Sequence, residues 1–92
     1  MPALVNRVEP EYPAIAVAAH VEGLVILEAV VDAEGRVQAV KVLRSRGLLD
    51  KAAIEAVRQW QYAPLTLNGE KTPFVLTVTL NFALKDRSQH VG

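Results

Sequence analysis

Few side chains in this sequence stand where they could do chemistry together. His20 and His90 are far apart, and a metal site needs a second ligand at matched spacing. Both read as solvent-exposed. Ser45 and Ser88 have no histidine close in sequence to draw off a proton, so only a partner brought in by folding could activate them. The glycines at 23, 35, 47 and 69 fall singly at turn positions and make no phosphate-cradling loop. Glu9 and Glu11 are paired carboxylates on an entry segment. Without a predicted cleft around them they read as a solvated face rather than an acid and base. The sequence therefore predicts no enzyme, no cofactor and no metal.

Composition narrows the alternatives further. A 92-residue chain that is 51% apolar is long enough for a single modest core. Its ten basic and ten acidic residues cancel and form no run, which removes the electrostatic footprint of nucleic-acid or anionic-membrane binding. Cysteine is absent, excluding disulfides and thiolate sites while leaving the redox compartment open. No apolar run approaches the roughly 18 residues of a membrane span, and Met1 opens no signal peptide.

The elements follow from changes of period. Residues 11 to 20 are Ala-rich, with Tyr12, Ile15 and Ala19, or Ala16 and Ala19, at helical spacing. Pro13 suits a first turn, where its missing N–H costs nothing. From Val21 the texture turns β-branched, with Val25, Leu27, Ala29 and Val31 on one face and Leu24, Ile26, Glu28 and Val30 on the other. Asp32 to Gly35 reads as a tight hairpin turn. A second strand runs from about Val37 to Leu43, until Ser45 to Gly47 breaks the alternation. A second helix follows, its apolar stripe formed by Leu49, Ala53, Ala56, Val57 and Trp60 and its Asp50 and Arg58 placed as the helix dipole favours. Pro64 ends it, at about Trp60 to Tyr62. Asn68-Gly69 marks a turn. The last strand alternates most cleanly: Phe74, Leu76, Val78, Leu80 and Phe82 face the core, and Val75, Thr77, Thr79 and Asn81 face away.

This order, helix-strand-strand-helix-strand, predicts a two-layer α+β domain, with an antiparallel three-stranded sheet and both helices on one face. Residues 1–9 read as an N-terminal extension, 10–84 as the domain and 85–92 as a flexible tail. A three-stranded sheet has two edges of unpaired backbone groups. The last strand is long, rich in threonine and charged only at Lys85, so it could accept a strand from a partner.

Four pieces in this order resemble the C-terminal domain of the TonB family of periplasmic energy transducers. They are "EYP", "VEGLVILEAVVDAEGRV", "LDKAAIEAVRQWQYAP" and a final alternating strand ending in Asn81-Phe82. The resemblance covers about Pro10 to Leu84. Its most specific parts are Tyr12-Pro13, Gly23, the Asp32 to Gly35 turn and the Trp60-x-Tyr62-x-Pro64 exit. It implies a periplasmic domain of a protein anchored in the inner membrane, which grasps the "TonB box" of outer-membrane transporters and passes on energy drawn from the proton gradient. Carried over by position, the box would pair with the edge strand through Phe74, Val75, Leu76, Thr77, Val78, Thr79 and Leu80. It would also touch Glu9, Pro10, Glu11, Tyr12 and Pro13. Glu9 and Glu11 stand where the best-known members carry glutamines, which implies a preference for basic flanking residues.

Plainer readings stand beside these. Trp60 continues the helix stripe and reads as core. Tyr12-Pro13 could simply start a helix. Leu24, Ile26, Val30, Leu43 and Val75 would leave an apolar patch on the helix-free side of the sheet, predicting self-association or contact with another segment. The alternative function is a scaffold or homodimerisation domain of the same fold, using the open sheet face or the edge strand and binding no transporter.

Overall fold

The computed structural model describes residues 2–84. The expected tail at 85–92, with Lys85, Ser88 and His90, lies outside them. The elements are β1 (Leu4–Asn6), α1 (Ala14–Ala18), β2 (Gly23–Val31), β3 (Val37–Arg44), a 3-10 turn (Gly47–Leu49), α2 (Asp50–Val57), β4 (Gln61–Tyr62), β5 (Leu65–Leu67), β6 (Glu70–Thr72) and β7 (Phe74–Phe82). The main sheet is antiparallel with strand order β3-β2-β7, so β2 is central and β3 and β7 are the edges.

The predicted alternation places the core. Val25, Leu27, Ala29 and Val31 of β2 are fully buried beneath the helices, beside Val78, Leu80 and Phe82 of β7. From the helical side come Leu49, Ala53, Ala56, Val57 and Trp60, the stripe read from the sequence. Removing each large aliphatic side chain from water stabilises the fold by about 1.5–3 kcal/mol. On the opposite face Leu24 (39%), Leu43 (50%) and Val75 (58%) are exposed, three of the five residues expected in a patch there, while Ile26 and Val30 are half-buried. The patch is interrupted where Glu28 lies across from Lys41 of β3 and Thr77 of β7.

The helices are shorter than expected. α1 has five residues, with Pro13 as its N-cap. Ala16 is its buried residue; Ile15 is 63% exposed and Ala19 is also exposed, so the stripe proposed through Ile15 does not form. A helix of under two turns presents one residue, not a stripe, to the core. α2 ends at Val57, and the chain reaches Trp60 through tighter bonds from the Gln59 and Trp60 N–H groups to the Ala56 and Val57 carbonyls.

Two pairings have no counterpart in the sequence reading. β1 pairs with β4, placing Leu4 across from Tyr62, and β5 and β6 form a hairpin around Asn68-Gly69. Asn68 and Gly69 both have positive φ (52° and 81°), the left-handed pair that a two-residue hairpin turn requires.

The Asp32 to Gly35 turn holds itself and docks elsewhere. Asp32 Oδ1 accepts the Glu34 and Arg36 N–H groups, each at 2.9 Å. Those bonds, above all the one from Arg36, hold the Asp32 carboxyl below the ordinary carboxylate range, against a smaller opposing effect of desolvation. Gly35 (φ 90°) offers its carbonyl to the Tyr62 N–H at 2.8 Å. A Cβ at this position would lie 1.9 Å from the Tyr62 carbonyl oxygen, so no other residue fits without displacing β4.

Candidate functional site

The segment before α1 is fastened by aromatic side chains. Trp60 Nε1–H donates to the Val8 carbonyl at 2.8 Å, closing a long loop onto the end of α2. The Arg7 guanidinium sits 4.9 Å above the same indole. Its Nε donates to Glu9 Oε2 at 2.8 Å, so Glu9 is held by a neighbour that Trp60 positions.

Tyr12 then turns the chain into α1. Its hydroxyl donates to the Val21 carbonyl at 2.5 Å, bridging the two ends of the α1 loop. Its ring meets Phe82 edge-on, with centroids 5.4 Å apart. The Pro13 carbonyl accepts the Ala16 and Val17 N–H groups, both at 3.0 Å. Tyr12-Pro13 therefore starts the helix and also ties it to the last residue of β7.

Glu9, Glu11, Tyr12 and Pro13 come together along a groove of about 920 Å³ facing the outer side of α2. Pro10 is half-buried and is not part of its lining. Residues assigned no site role from the sequence also line it, among them Ile15, Leu48, Lys51, Ala52 and Glu55. For Lys51, Ala52 and Glu55 the signal lay in the off-stripe positions of α2, where Ala52 is a small gap between two charged residues.

The β7 residues form a second, separate feature. All nine pair with β2 in unbroken register, from Phe74 opposite Val31 to Phe82 opposite Gly23. The outer side of β7 meets no other strand among the described residues. Val75, Thr77 and Thr79 are exposed on the open face, whereas Val78 and Leu80 are buried and Phe74 and Leu76 half-buried. Any recognition along Phe74 to Leu80 thus falls to the backbone and to Val75, Thr77 and Thr79. Phe74 packs edge-on against Tyr62 at 5.7 Å, at the end of the strand away from Tyr12. Burial pushes the Tyr62 phenol up, opposed by the Arg7 charge. The expected site residues are therefore split between a groove and an edge, joined at the Tyr12–Phe82 contact.

No three His, Cys, Asp or Glu side chains among the described residues cluster as a metal site would need. None of their helices is long and apolar enough to cross a membrane.

These features define a small two-layer α+β domain that presents an uncharged strand edge and a groove beside a Tyr-Pro corner. Residues 8–84 match the family described as the Gram-negative bacterial TonB protein C-terminal, and the chain belongs to that family. It is 43% identical over 81 residues to protein TonB of Xanthomonas campestris pv. campestris, covering 86% of this chain and 36% of that protein. It is 37% identical over 87 residues to protein TonB of Vibrio cholerae, covering 91% of this chain and 36% of the relative. The chain thus spans about a third of the length of these curated relatives. A solution NMR structure of the Pseudomonas aeruginosa TonB CTD shares the fold, with a TM-score of 0.76 at 23% identity and coverage of 91% of this chain and 87% of that one.

Proposed function

We propose that this domain binds the TonB box of outer-membrane transporters by strand addition to the outer edge of β7, as a periplasmic, non-enzymatic part of an inner-membrane-anchored energy transducer. The observation that carries the reading is the β7 edge itself: nine residues in unbroken register with no charged side chain. A peptide strand along Phe74 to Leu80 gains main-chain hydrogen bonds worth about 0.5–1.5 kcal/mol net each, offset by the cost of ordering it. Binding by the edge alone is consequently weak. Glu9, Pro10, Glu11, Tyr12 and Pro13 supply a second contact beyond the Phe82 end. Load passed along paired strands is shared by several hydrogen bonds, so the task is mechanical.

A titration of the isotope-labelled chain with short TonB-box peptides, followed by backbone amide shifts, tests this. Shifts along Phe74 to Asn81 and at Glu11 and Tyr12 are expected. Silence of those amides at millimolar peptide, with line broadening that tracks protein concentration alone, overturns it. That second outcome supports a scaffold or homodimerisation role through the open sheet face or the edge strand. The exposure of Leu24, Leu43 and Val75 favours this alternative, and sedimentation across a concentration series measures it.

A further inference from the structure

The groove beside α2 has chemistry that the strand edge lacks. Ile15 is 63% exposed and Leu48 44% exposed, two large apolar side chains left in water along one cavity. The lining also includes Ala52 and Ala56, whose side chains are small. Three of the four charged residues lining it, Glu9, Glu11 and Glu55, are acidic, and Lys51 is the fourth. Arg7 already satisfies Glu9, while Glu11 and Glu55 are exposed to solvent.

We propose that this groove is a binding site for an extended cationic segment of a partner protein. The segment seats one apolar side chain against Ile15, Leu48 and Ala52 and sets lysine or arginine beside Glu11 and Glu55. Two features select that occupant. The apolar lining needs a side chain to cover it, and Glu11 and Glu55, set against Lys51 alone once Arg7 has paired with Glu9, leave a net negative charge that disfavours acidic peptides and anionic lipid surfaces. The inference deepens the proposed contact at residues 9–13 and takes the partner's origin from that reading. The chemistry of the groove stands without strand addition.

The probe is a capped Lys-Leu-Lys-Leu peptide, with capped Glu-Leu-Glu-Leu as its counterpart, each titrated into the isotope-labelled 92-residue chain. The basic peptide is expected to move the amides of Tyr12, Ile15, Lys51, Ala52 and Glu55 and to leave Val75 to Asn81 still. Its affinity should fall about tenfold in the Glu11→Lys/Glu55→Lys variant, and fall again as added salt shortens the screening length. Both substituted residues are exposed, so unchanged β2 amides verify the fold; a Glu11→Gln/Glu55→Gln variant should lie between the two. Equal shifts with both peptides, no shift with either, or shifts confined to β7 would overturn the proposal. Because β7 amides report strand addition and α2 amides report the groove, either reading can fail while the other is upheld.

Discussion

The two edges of the main sheet share one central strand and are built to different ends. β3 pairs with β2 through two register irregularities, between Ile26 and Leu27 and between Val30 and Val31, and carries Lys41 and Arg44. β7 pairs with the same β2 through nine uninterrupted positions and carries threonine and asparagine where β3 carries charge. Bulges and basic side chains are the usual means by which a sheet edge avoids foreign strands. β3 has both and β7 neither. One edge thus carries the features that discourage strand addition and the other lacks them, although the backbone chemistry is the same at both.

The severest way to break this contrast is to dislodge the turn that sets the β2–β3 register. Gly35→Ala forces a Cβ onto the Tyr62 carbonyl at a left-handed residue, and is expected to cost about 3 kcal/mol or more in urea unfolding. Transferring the defences of β3 to β7 comes next. Thr77→Lys/Thr79→Lys should weaken TonB-box peptide binding about tenfold by titration, equivalent to about 1.4 kcal/mol, with little change in thermal stability. The reciprocal Lys41→Thr/Arg44→Thr change should create self-association, seen as a sedimentation coefficient that rises with concentration. Acid loosens the turn more gently. Because the folded Asp32 carboxyl titrates below its unfolded counterpart, its contribution is present at neutral pH. It fades as pH falls through the carboxylate range and is gone below the folded value, and Asp32→Asn should flatten that part of the stability profile. The smallest effect is a gain. His20 closes α1 at φ 57°, and His20→Gly should relieve that left-handed backbone and raise stability by a few tenths of a kcal/mol, measured as a small rise in Tm, while leaving both edges unaltered.

Where the sequence was legible, contrast made it so. β7 sets apolar core positions against mostly polar ones over nine residues, and α2 repeats its stripe from Leu49 to Trp60, so their faces could be read directly, while β2, apolar on both faces except at Glu28, was legible from its β-branched texture. α1 offered no such contrast: among so many alanines the stripe through Ile15 looked as good as the single contact at Ala16 that folding uses. β1 and β4 are too short to show any period, and their pairing depends on Gly35 and Trp60 arriving from distant parts of the chain. The β7 edge could be inferred because an edge is a property of strand order. The groove could not, since its two walls, the segment before α1 and the outer side of α2, meet only in the folded chain.

The fastening of the amino-terminal segment sets the order in which the domain responds to tension. A pull at Pro2 first meets the short β1–β4 pairing, the bond from the Ala63 N–H to the Ala3 carbonyl at 2.8 Å, and the single indole bond at Val8. Beyond these it meets the Tyr12 contacts with Val21 and Phe82, and only then the nine-position β2–β7 ladder. Weak and strong connections in series fail in that order. Peeling residues 2–8 frees about 20–25 Å of extended chain, at roughly 3.3–3.6 Å per residue, before the core is strained. The segment is thus a built-in length of slack between the amino-terminal residues and the core.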